Sequence, residues 1–224
     1  MDWSPVWISI KTASLSIVIT FFLGILAAWG IVSCKSQKAK MVWDGILTMP
    51  LVLPPTVAGF FLLYIFGVKR PLGSLFLNVF GIKIAFSWGA TVLAAAVISF
   101  PLMYRSARGA FEQVDENLVA AARTLGMSEW QIFSRVLFAN AMPGIVSGGV
   151  LAFARGLGEF GATAMIAGNI AGKTRTLPLA VYSEVAAGNM EKAYGYVAVI
   201  VAIAFCAVLL MNWVGAKDER KRKR

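Results

Sequence analysis

Histidine is absent from the 224 residues, and with it go histidine general-base catalysis, histidine metal ligation and any Ser-His-Asp arrangement. Cysteine is almost as scarce. The two present, Cys34 and Cys206, sit in or beside apolar runs without metal-ligand spacing, so neither a zinc site nor a disulfide framework is written. Charge is thin as well. Charged residues make up 14% of the chain against 58% hydrophobic, with mean hydropathy +0.74, a balance outside that of a soluble domain this size. Acids are fewer than bases, 11 against 21, which leaves a net charge of +10. The bases cluster at the ends of apolar segments rather than on an aromatic-studded polar face, which argues against nucleic acid and for lipid. The composition is that of a membrane protein with no metal or other cofactor expected on the chain.

What the sequence does hold is long apolar runs. Crossing a hydrocarbon core takes about 20 mostly apolar residues, and five stretches qualify: 7–32, 43–66, 84–104, 138–160 and 194–215. The expected fold is an all-α polytopic membrane protein of five spans, one domain over 1–224, with its termini on opposite sides. The first stretch is too long for a cleaved signal peptide and lacks a basic leader. Basic residues are counted on alternate sides to set the orientation. One side holds Lys35, Lys38, Lys40, Arg105, Arg108, Arg123, Arg135 and six in the tail 217–224, thirteen in all. The other holds Lys69, Arg70, Lys83, Lys173, Arg175 and Lys192. The richer side is expected to be cytoplasmic, which places the N-terminus outside, the loop 105–137 in the cytosol and the tail there as a topology anchor.

The second stretch contains Pro50, Pro54 and Pro55, which remove backbone donors and should kink or interrupt the helix. Broken helices in membranes line protein-enclosed cavities, which puts Pro54, Pro55 and the adjacent hydroxyl of Thr56 among candidate pathway residues. The fourth stretch carries Gly144, Gly148, Ala152 and Gly156 at four-residue spacing, a small-residue stripe along which another helix can approach closely. That neighbour is either in the same chain or in a second copy. Arg155 and Glu159 are four apart in or near the same span, so an intramembrane ion pair is expected, either holding GLGEFG in shape or serving as a gate. A permanent Arg–anion site would hold a dianion too tightly for release. Hydroxyls such as Thr56, Ser99 and Ser147 suit a conducting path better.

The loop from Asp115 to Gly144 reads DENLVAAARTLGMSEWQIFSRVLFANAMPG. Asp115 can cap a helix, Gly126 can supply the left-handed residue that ends it, and Ser128 with Gln131 forms a capping box for the next. The first helix, of about ten residues and 15 Å, is expected to put Leu118, Ala121, Ala122 and Leu125 on one face. An exposed apolar face there wants a partner.

This segment resembles the signature loop of ABC importer permeases, EAA, three residues, Gly, with Ala121, Ala122 and Gly126 matching within AARTLG. The family's Glu falls on Ala120, and Glu116, one turn earlier, is the candidate substitute. MPLVLPPTVAGFFLL from Met49, AFSWGATVLAAAVISFPLMYRSARGAFEQVD and VLAFARGLGEFGATAMIAGNIAGKTRTLPLAVY are similar to the molybdate permeases, and sulfate permeases share the GEFG element. The resemblance implies import of a tetrahedral oxyanion, molybdate first, with tungstate or sulfate as alternatives. It also implies a second copy of the chain, two cytosolic ATP-binding subunits and an external oxyanion-binding protein. Coupling to the ATPase is then expected at Glu116, Leu118, Ala121, Ala122, Arg123, Leu125 and Gly126.

AGNIAGKT, Ala167 to Thr174, is one residue from a phosphate-binding loop. Its context rejects that use: no buried strand precedes it, and Arg175 to Pro178 interrupt any following helix. ATP hydrolysis is therefore expected on a partner chain, and this chain is not expected to be an enzyme. A stand-alone secondary transporter, the more distant alternative, needs internal repeats and midplane carboxylates, and apart from Glu159 the spans offer none.

Overall fold

A computed structural model describes residues 2–222, with side chains described through Trp213. The described residues are helical, joined by short turns, and no strand occurs among them. The basic tail reaches beyond them: Lys223 and Arg224 lie outside the described residues, as do the side chains of 214–222.

Helix α1 (Ser4–Val32) starts on Pro5, whose missing donor costs nothing in a first turn. Its inward side repeats at three- and four-residue spacing through Ser9, Thr12, Ser16, Thr20, Gly24 and Ala28, while Phe22, Leu23 and Leu26 are exposed. An apolar outer face suits hydrocarbon rather than water. Helix α2 (Gln37–Val52) begins on a Ser36 cap and runs through Pro50, and the chain then turns 109° into α3 (Pro55–Phe66). The break sits at Pro54 and Pro55, so the second expected span is two half-helices. A short apolar helix α4 (Pro71–Phe80) follows, closed by Gly81 at φ 67.

Helix α5 (Trp88–Glu112) starts on a Ser87 cap, four residues later than expected, and runs eight residues beyond 104. Residues 105–112 thus belong to the span rather than to the loop, because Ala107 and Phe111 are buried in the core against Phe133. After α6 (Glu116–Thr124), α7 (Glu129–Gln131) passes through a π-helical stretch, Ile132–Leu137, into α8 (Phe138–Leu157). The fourth span therefore begins at Glu129 rather than 138 and ends at Leu157 rather than 160. Then come α9 (Gly161–Ala167), α10 (Leu177–Ala186) and α11 (Met190–Arg222), whose apolar part is Met190–Trp213. Among the described residues four helices are long and apolar enough to cross a membrane, and the bent pair α2–α3 makes a fifth where it is counted as one span.

Helices α1, α5 and α8 form the centre. Their shared core holds Ile25, Met103, Tyr104, Phe111, Phe133 and Ile145, and a second cluster joins α3, α5 and α9 through Leu62, Ile98 and Ile166. The small-residue stripe finds its neighbour in the same chain: a Cβ on Gly144 would fall 2.8 Å from Ala110 Cβ, one on Gly148 would strike Ser106, and Ala152 is fully buried. Gly156 faces Ser16 and Ala95. Hydroxyl bonds tie one end of the bundle, where Leu177 N–H donates to Ser9 Oγ (2.7 Å), Trp88 Nε1 to Thr12 (3.1 Å) and Tyr196 to the Asp2 carbonyl (2.9 Å). The opposite end, where α6 lies, is closed by Trp29 against Phe133 and Trp130, with ring centroids at 4.5 and 6.1 Å.

Candidate coupling helix and paired helix breaks

Helix α6 is held at both ends by local chemistry. Asp115 Oδ1 accepts from Asn117 N–H at 2.9 Å, satisfying an orphan donor of the first turn. At the other end Gly126 has φ 75, Met127 N–H donates to the Ala122 carbonyl (3.1 Å) and Gly126 N–H to that of Arg123 (2.9 Å). Those two bonds are a Schellman closure, which requires the left-handed residue that glycine supplies without strain. The Ser128–Gln131 capping box forms as well, and Arg123 bridges the turn to Glu129 through two hydrogen bonds of 2.9 and 3.2 Å. The helix and the following turn are thus a stiff unit.

Its faces differ from expectation at one residue. Leu118, Ala121 and Leu125 are exposed, Leu125 by 80%, but Ala122 is turned inward onto the chain, 4% exposed. Ala122 sits on the edge of the outward stripe, one step from half-buried Val119, so the packing side captures it. Glu116, Arg123 and Ala120 are exposed.

A second constellation lies where α8 ends. The Arg155 guanidinium meets the Glu159 carboxylate at 2.8 Å, and the other carboxylate oxygen accepts from Ala162 N–H at 2.8 Å. The expected ion pair forms, and it also caps α9. The Glu159 side chain is 1% exposed and that of Arg155 31%. Two residues on, Gly161 lets this break touch the other one: a Cβ there would lie 3.1 Å from Pro55 Cβ and from Thr56 N. Gly59 crosses Ala162 just as closely, at 2.6 Å from a would-be Cβ to Cα. The two interrupted spans therefore meet break to break, with Pro54 and Thr56 exposed beside them.

The remaining expected pathway residues are not part of this cluster. Ser99 is fully buried and donates to the Ala95 carbonyl of its own helix at 2.7 Å. Ser147 is half-buried and lines a groove between α5 and α8. One network went unread in the sequence. Tyr104, fully buried, donates to Asp44 Oδ1 at 2.7 Å, Arg108 pairs with both Asp44 and Glu112, and Lys40 stands 3.7 Å from Glu112. It ties α2, which buries no residue of its own, to α5 around a cavity of about 400 Å³. An acid in a span demands a partner. Asp44 was the available signal.

Residues 20–223 match the model of the binding-protein-dependent transport system inner membrane component family. The chain belongs to this family. Among its relatives, the molybdenum transport system permease protein ModB of Escherichia coli (strain K12) is 43% identical, over 99% of this chain and 96% of that protein. A putative molybdenum transport system permease protein, YvgM of Bacillus subtilis, is 41% identical over 94% and 92%. The fold is also that of a chain in an inward-facing structure of the MetNI methionine ABC transporter, with TM-score 0.69 and 18% identity over 96% and 97% of the two chains. The protein is thus a multi-pass permease of the cell membrane.

In this permease AGNIAGKT is a closed turn rather than a phosphate cradle. The Lys173, Thr174 and Arg175 N–H groups all converge on the Ile170 carbonyl, and Thr174 Oγ1 accepts from Ile170 N–H. Four N–H donors of the segment are thereby engaged within the turn itself rather than turned to an anion. Arg175 donates to Asn169, which donates to Ser183, so the turn is braced from outside as well.

Proposed function

We propose that the chain is the membrane-spanning subunit of an ATP-driven importer of a tetrahedral oxyanion, with molybdate as the substrate. One observation carries the coupling part: in a binding-protein-dependent permease, α6 presents exposed Leu118, Ala121 and Leu125 on a helix fixed at both ends, a rigid handle for another protein. The 43% identical relative is a molybdenum transport system permease, which supports the substrate. In this reading α6 seats in a cytosolic ATP-binding subunit, and hydrolysis belongs there. Two copies of the chain and two such subunits make the complex, and an external binding protein delivers the anion. Lys35, Lys38, Lys40, Arg105, Arg108 and Arg123 share the α6 end, which orients that end to the cytosol and the N-terminus outward.

The paired breaks are the gate of this permease. Pro55 and Thr56, just after the break at Pro54, meet Gly161, two residues past Glu159 where the chain passes from α8 to α9, and non-helical backbone is tolerated at membrane depth only against protein or water. Rocking α6 moves α8 through the continuous α7–π–α8 segment and so displaces the second break against the first. The handle is tested by purifying the affinity-tagged chain in mild detergent. It brings down an ATPase subunit, and Leu125→Glu with Leu118→Glu releases it. A chain that purifies without any ATPase and still transports overturns the assignment.

A further inference from the structure

Helix α2 is built inside out. Its exposed side carries Met41, Trp43, Ile46, Met49 and Val52, whereas Lys40, Asp44 and Thr48, four residues apart, face the bundle half-buried. Leu47 on that inward side is half-buried against the central core. The specific bonds to α5 are polar. Tyr104, fully buried in the core, donates its hydroxyl to Asp44 at 2.7 Å, Arg108 joins Asp44 to Glu112, and Lys40 stands 3.7 Å from Glu112. The four charged side chains are 22–42% exposed and, with Gln37 and Met41, line the cavity of about 400 Å³. Charges around a space of that size hold water.

The kind of contact decides which element can move. Helices α5 and α8 are close-packed, down to Gly148 on Ser106, and parting them leaves facing atoms without partners. Ion pairs already open to water exchange their partners for hydration at little net cost. Helix α2 also lies between two non-helical joints, extended Ser36 (ψ 112) before it and extended Leu53 (ψ 140) after it. Past the second joint α3 is fixed, with Ala58, Gly59 and Leu62 buried. A detachable arm therefore leads straight to the Pro55–Gly161 contact. We infer that Lys40, Glu112, Arg108, Asp44 and Tyr104 form a latch, closed in this structure, that opens as α2 swings about Leu53 and Pro54 during the ATP-driven cycle. Tyr104 and Arg108 are its positioning residues on the fixed side. The swing displaces the Pro54 break, so the latch and α6 act on one gate from its two sides.

The latch rests on the importer reading, and the experiment separates the two. The complex with its ATPase subunits and external binding protein is reconstituted in lipid nanodiscs. Wild type that hydrolyses no ATP removes the importer reading itself. Given wild-type hydrolysis, Leu47→Cys in a Cys34→Ala, Cys206→Ala background reports the interface beneath α2. Its reaction with a small water-soluble thiol reagent rises about tenfold when the complex is trapped with ATP and vanadate. Adding Asp44→Asn gives the fast rate without nucleotide and raises hydrolysis in the absence of binding protein several-fold. Asp44→Glu restores the slow rate. A side chain needed only for folding would lower assembly and hydrolysis instead. A Leu47→Cys rate equal within about twofold in the resting and trapped states overturns the inference. That readout keeps the latch intact and stands even where Asp44→Asn fails to assemble. An assembled Asp44→Asn complex whose reaction rate and unstimulated hydrolysis match its parent overturns the inference as well.

Discussion

Glu159 divides its two carboxylate oxygens between the Arg155 guanidinium and the Ala162 N–H, each at 2.8 Å, so a single buried acid both neutralises a span cation and starts the next helix. Removing it leaves a cation and a backbone donor unpaired together. Glu159→Ala is predicted to cost on the order of 1–3 kcal/mol, the range for donors left without their acceptor, because the Arg155 cation left behind is only partly buried. Reversing the pair, Arg155→Glu with Glu159→Arg, does not recover it, because arginine cannot accept from Ala162 N–H. Thermal unfolding in detergent reads both variants, and a reversed pair as stable as wild type would show that the cap contributes nothing.

Gly126 closes α6 in a left-handed conformation, φ 75, with open space where a Cβ would stand. The penalty for a side chain is therefore backbone strain alone. Gly126→Val is predicted to cost about 1–2 kcal/mol locally and Gly126→Asn less, since asparagine tolerates that region. Binding-protein-stimulated ATP hydrolysis should fall in the order glycine, asparagine, valine. Equal stimulation in all three contradicts a coupling role for the turn.

The α5–α8 contact is tight for another reason. A Cβ at Gly148 would run into the Ser106 side chain. Gly148→Ala is predicted to lose about 1–3 kcal/mol by overpacking, and Ser106→Gly in the same chain to regain most of it. A double variant no better than the single one places the clash elsewhere.

The proposed orientation rests on the bases gathered at the α6 end. Lys38 and Lys173 are exposed at opposite ends. With Cys34→Ala and Cys206→Ala, Lys173→Cys is predicted to react with a membrane-impermeant thiol reagent on intact cells and Lys38→Cys to stay protected. Labelling at Lys38→Cys inverts the topology and removes α6 from the cytosol.

The parts of this molecule that a reader of the sequence finds are those made by near neighbours. The Asp115 cap, the Gly126 closure, the Ser128–Gln131 box and the Arg155–Glu159 pair each lie within one or two turns, and all form. Span ends are harder, because a helix stops where packing stops: α5 continues to Glu112 since Phe111 still finds Phe133. Helices α9 and α10 are too short and too interrupted by glycine and charge for a window of about 20 apolar residues to register. The Asp44, Tyr104 and Arg108 network joins residues far apart in sequence, and periodicity carries no record of such a meeting. Ala122 turned inward for a similar reason: only the chain packed beneath α6 decides which edge of its apolar stripe is covered.

The most direct measurement is uptake itself, by vesicles holding the complete complex with its external binding protein and ATP inside. The account predicts ATP-dependent accumulation of molybdate, strongly competed by tungstate and weakly by sulfate. Preferential uptake of sulfate would assign the chain to sulfate import, and uptake of a cation or a neutral sugar in place of any oxyanion would contradict the account outright.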